Sequence, residues 1–178
     1  MLDPIRQTLV NLLTGYGYNL YEKKNRARAD DLLVREKAAE MVAEAANGLR
    51  ALRTAFQKRY IPPPTRDAPT PPPERLAQLR ALADLHRQLD DLAARIRGMV
   101  VPTQDRVWER VRSEQALLHE LLRHDYDLIA PCRELREAVD ALDLSTWNDA
   151  SLEPVAAITA RIERAVRARA EFLRVPGW

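Results

Sequence analysis

The 178 residues carry 28 Lys plus Arg against 26 Asp plus Glu, and a net charge of +2 excludes any global electrostatic case for a polyanion partner. With 26 Ala and 25 Leu against 17 Val plus Ile and only 5 Gly, the composition favours helix over strand, and the length suffices for one core without disulfides or metals. The single cysteine, Cys132, excludes an intrachain disulfide and a thiolate metal cluster; with no leader-like or membrane-spanning run, the expected location is the cytoplasm.

Asp3 followed by Pro4 is a helix-start pair, and Ile5, Leu9, Leu12 and Leu13 predict a short helix over 4–14 that Gly15 and Gly17 stop. A second stripe, Ala38, Val42, Ala45, Leu49, Leu52 and Phe56, predicts a long helix over 29–60, with Gly48 marking a kink or a close approach. Its sustained three-four spacing has a coiled-coil character and suggests self-association of two copies through that stripe. Pro62 to Pro73 holds seven of the twelve prolines, so 62–73 reads as a polyproline II crossover between 1–61 and 74–178 of a single helical domain. Its expected state is an exposed linker.

Leu82, Leu85, Leu89, Leu92, Ile96 and Met99 predict a helix from Glu74, stopped near Gly98. Thr103 is the expected N-cap of a fourth helix carrying Val107, Val111, Leu118, Leu121 and Leu122, which the short link would fold against its predecessor as an antiparallel hairpin. Pro131 should end or kink that helix, leaving 131–144 as a fifth. Ser151 should cap a sixth, striped by Val155, Ile158, Ile162, Val166 and Leu173. The expected fold is therefore all-α, an elongated bundle of four or more helices with a Pro-rich crossover.

Candidate chemistry is sparse. His86 with Asp90 and Glu120 with His124 are i, i+4 pairs that could each present two metal ligands, but hairpin register offsets them by roughly 13 Å, and His119 diverges from His124 around the helix. The same register sets Glu114 level with His86, where a structural polar pair is the simpler expectation than acid–base chemistry, since neither a nucleophile nor an orienting group accompanies them. Cys132, after Pro131 and before Arg133, would sit at a helix start that could lower a thiol pKa, although a lone cysteine usually packs as a small hydrophobe. No phosphate-binding glycine loop, zincin, nucleophile elbow or Glu-x-x-His pair occurs, so no catalytic residue, metal or cofactor is expected.

Two segments mix residue types suited to binding. Tyr16, Tyr18 and Tyr21 precede Lys23, Lys24, Arg26 and Arg28, joining aromatic contact area to cationic donors beside adaptable glycines. Arg161, Arg164, Arg167 and Arg169 give the last helix a basic face, for which a solvated surface is the plainer interpretation; nucleic acid is accordingly not the expected ligand. The sequence therefore points to a non-enzymatic interaction protein, an adaptor, accessory or assembly factor that offers helix faces to a protein partner through Tyr16–Arg28. The rival is a helical enzyme or cofactor-binding bundle whose site is assembled from dispersed residues such as His86, Glu114 and Tyr16.

Overall fold

A computed structural model describes residues 23–61, 63, 70–99, 114–148 and 150–173, with side chains described from residue 32 onward except those of 114–119, 121 and 122. The predicted helix over 4–14, the tyrosines at 16, 18 and 21, most of the crossover and the Thr103 cap lie outside the described residues. Among the described residues four helices form the bundle: α1 (Lys23–Tyr60), α2 (Pro73–Arg97), α3 (Glu114–Asp140) and α4 (Glu153–Phe172). The all-α expectation is met.

Local chemistry explains most of the helix ends. In α2, Pro73 occupies the first turn, where a missing N–H costs nothing, with Glu74 beside it; Arg95 and Arg97 complement the dipole at the other end. The Gly98 amide then donates to the Ala94 carbonyl at 3.0 Å. The start of α4 differs from expectation, since Leu152 is its N-cap and no side chain caps it. The Ser151 hydroxyl instead accepts from the Asn148 amide at 2.9 Å, inside a tight turn that precedes the helix.

The largest correction concerns Pro131, which neither ends a helix nor starts one. It lies inside α3, which runs unbroken to Asp140. Leu128, Ile129, Cys132 and Leu135 on its flanks are all buried, so packing on both sides outweighs the one backbone hydrogen bond that proline removes.

Ion pairs and ring contacts report the topology. Arg97 lies 3.7 Å from Glu36 and the Arg75 guanidinium sits 4.4 Å above the Tyr60 ring, so α1 and α2 are antiparallel. Arg136 reaches Glu44 at 3.3 Å and Tyr60 Oη donates to the Leu144 carbonyl at 2.8 Å, so α3 runs parallel to α1. Arg161 meets Glu134, and Arg169 meets Asp125, which makes α4 antiparallel to α3. Two antiparallel hairpins thus pack through α1 and α3, and α2 touches α4 where Arg95 pairs with Glu163 at 3.0 Å. The expected hairpin between α2 and the next helix is replaced by this side-by-side pairing with α1.

Gly48 makes that pairing possible: a Cβ there would lie 2.8 Å from Val139 Cγ1, so the glycine marks a close approach. The Ala38 to Phe56 stripe spends itself in the same core, with Ala38, Val42, Ala45, Leu49 and Phe56 at most 1% exposed. It is therefore not available to a second copy. At the far end Trp147 stands edge-on to Phe56 at 5.4 Å and closes the core under the α3–α4 connection. There the hydroxyl and amide of Ser145 hold the exposed Asp143 carboxyl below its ordinary range.

Candidate functional site

The opposite end of the bundle gathers the N-termini of α1 and α3 and the C-termini of α2 and α4, and it holds buried charge. Arg169 of α4 and Asp125 of α3 are each 1% exposed, with Arg169 Nε donating to Asp125 Oδ1 at 3.0 Å. Arg35 of α1, 2% exposed, donates from Nη1 to the Met99 carbonyl at 2.5 Å, just past the C-terminus of α2, where the helix dipole favours a cation. The His124 ring packs on Phe172 with centroids 5.1 Å apart. Three helices thus contribute a charged side chain to one buried layer.

This layer went unread in the sequence, yet a signal is present. Arg35 extends the α1 stripe by three residues from Ala38, Asp125 falls three before Leu128, and Arg169 three after Val166. Charges of opposite sign standing in apolar stripes are the mark of a buried pair. Arg169, expected on a solvated basic face, is buried. Of that face, Arg161 pairs with Glu134 and Arg167 with Glu163.

Beyond the layer, α1 and α3 continue where their neighbours stop. Met99 is level with Arg35 and Phe172 with His124, so α1 extends 12 residues and α3 ten residues further, about 18 Å and 15 Å of helix. Leu32 on this projection is 58% exposed. Lys23, Lys24, Arg26 and Arg28 belong to the first turns of α1, and their side chains, like Tyr16, Tyr18 and Tyr21, lie outside the described residues. Of the Tyr16–Arg28 segment, residues 23–28 thus form the start of the projecting helix.

The other sequence candidates are dispersed. His86 lies 3.4 Å from Asp90 on its own helix. Continuing the antiparallel register from Arg97 opposite Glu36, His86 falls level with residue 47 of α1, beside Gly48 and Val139, whereas Glu114 is 25 residues further up α3, about 37 Å away. The expected alignment of His86 with Glu114 is thus overturned by the placement of α3 along α1. Glu120 pairs with Arg123 at 3.4 Å, and among the described residues no group of three or more His, Cys, Asp or Glu is placed to hold a metal ion.

Cys132 is corrected as well. It sits inside α3 with 0% exposure, away from any helix start, and burial pushes its thiol up to about 12. Such a thiol stays protonated and inert at neutral pH.

Comparison with protein-family models, with curated proteins and with solved structures finds no match.

Proposed function

We propose that this chain is a non-enzymatic helical interaction protein, an adaptor, accessory or assembly factor that holds a protein partner at the projecting end of α1 and α3. The observation that carries this reading is the projection itself. Among the described residues, two parallel helices run about 15–18 Å past the ends of α2 and α4, with an exposed leucine at position 32 and the first turns of α1 formed by Lys23–Arg28, which Tyr16, Tyr18 and Tyr21 precede in sequence. The buried Arg35, Asp125 and Arg169 anchor its base. Tyr and Arg combine contact area with directional donors, the side-chain types that dominate binding hot spots. In this reading the protein works in the cytoplasm and needs no cofactor. Among the described residues no helix is long and apolar enough to cross a membrane.

The test is a variant with Tyr16 and Tyr18 replaced by Ala and Lys23 and Lys24 by Ser. Capture of the native partner from host extract, identified by mass spectrometry, should fall at least about tenfold, as expected when hot-spot residues are removed, while the melting temperature stays within a few degrees of the parent. Undiminished capture, or a collapse of stability, overturns the reading. Under this proposal nucleic acid is not the expected partner, since the net charge is only +2.

A further inference from the structure

Most described cations of the other helices hold a carboxylate: Arg87 meets Asp84, Arg95 meets Glu163, Arg136 meets Glu44 and Arg161 meets Glu134. The second half of α1 departs from that habit. From Ala45 to Tyr60 it carries no acidic residue, and Arg50, Arg53 and Lys58 make no ion pair with any described residue. Arg50, Thr54 and Lys58 follow one another at four-residue steps and form one ridge on the exposed side of α1, while Asn47, Ala51 and Ala55 form the next. These six residues line a shallow groove between the two rows. One wall is tall and cationic at both ends; the other is low, since Ala51 and Ala55 end at Cβ. The Thr54 hydroxyl donates back to the Arg50 carbonyl at 3.1 Å, so the middle of the tall wall asks no hydrogen bond of an occupant.

We propose that this groove docks an acidic amphipathic helix of a partner protein, whose ridge presents two carboxylates eight residues apart to Arg50 and Lys58 and a small residue midway, over Thr54. Arg50 and Lys58 are eight residues apart on α1, about 12 Å of helix, so a ridge of the same four-residue pitch meets both cations at once. Ridges of that pitch lying in each other's grooves are the commonest way for two helices to cross, and the low Ala51–Ala55 wall lets the backbones come close. Charge selects the occupant, because the groove lies wholly within a stretch whose only charges are cationic. A continuous polyanion strand would run on into Glu44, which is exposed one turn before Asn47, whereas a helix can set an apolar residue there. Glu36 and Glu44 of this chain have the required spacing but hold Arg97 and Arg136, so a second copy would bring its own cations to the contact. This surface is separate from the projecting end and from the buried Ala38–Phe56 stripe.

Two exposed ion pairs over a short groove make a weak, salt-sensitive contact. Fluorescence anisotropy on the full chain, with labelled alanine-based helical peptides of about 20 residues as probes, reads it directly. A peptide with two glutamates eight positions apart should bind at low salt with a Kd below about 1 mM. It should bind at least about tenfold more tightly than the same peptide with lysines there, or with the glutamates six positions apart and so on different sides of the helix. The charge reversal R50E/K58E should cost at least about tenfold and should transfer the preference to the lysine peptide. R164E, which reverses an exposed and unpaired cation of α4, should bind as the parent does. Circular dichroism confirms that each variant keeps its helices. Equal binding by R50E/K58E and the parent overturns the proposal, as does indifference to glutamate spacing or to salt. So does duplex DNA that displaces the peptide and is itself lost in R50E/K58E, or a parent that sediments as a dimer which R50E/K58E breaks. None of these outcomes bears on partner capture by Tyr16–Arg28.

Discussion

Asp125 and Arg169 are the least forgiving residues in the described core. A salt bridge in water is worth little, but here both charges are withdrawn from solvent, so each keeps the other's burial tolerable. Asp125→Ala should therefore lower unfolding free energy by about 3–5 kcal/mol in urea titrations, while the double change of Asp125 and Arg169 to Leu and Met should recover most of that loss. Cys132 gives a pH signature with a definite sign. Its thiol ionises near 9 when unfolded and near 12 when folded, so its contribution is intact below pH 9 and is lost as pH rises toward 12. Between those limits Cys132→Ala should flatten the decline in stability by up to about 1.4 kcal/mol per pH unit, measured by chemical denaturation at stepped pH. Individual residues were the scale at which the sequence misled most. A charge in an apolar stripe looks like a register error until its partner on another helix is known.

At the scale of elements, stripes were legible where nothing interrupted them. The α2 and α4 patterns run cleanly from Leu82 to Ile96 and from Val155 to Val166, and both helices form as expected. The α3 pattern was cut at Pro131 because sequence reasoning counts the lost backbone hydrogen bond and cannot count the neighbours that bury both flanks. Gly48 shows the same dependence on context. In isolation, Gly48→Ala should stabilise a helix by about 1 kcal/mol. Against Val139 it overpacks, a cost of about 1–3 kcal/mol. The expected outcome is a net loss in the parent and a gain of about 1 kcal/mol in a Val139→Ala background, a sign reversal that a double-mutant cycle in urea resolves.

For the whole molecule, the class of architecture was legible and the neighbour relations were not. An amphipathic stripe states that a helix has a buried side; it does not name the helix that buries it. Short linkage favoured α2 as the mate of α3, and the Ala-rich flank of α1, with its glycine, took that place instead. That substitution dissolved the His86–Glu114 alignment. It also gathered the N-termini of α1 and α3 at one end, creating the projection on which the proposed partner docking rests.

The parallel packing of α1 on α3 also dictates an order of events in time. Within each hairpin the two helices are near neighbours along the chain, but Glu44 and Arg136 are 92 residues apart, and Arg95 and Glu163 are 68 apart. Closing loops of that size costs more entropy than closing the hairpins, so α1 with α2 and α3 with α4 form first and the α1–α3 seam last. Until that docking step, the flank of α1 that carries Gly48 presents an uncovered surface to water, and the newly made protein is exposed to wrong partners at a face that ends up hidden.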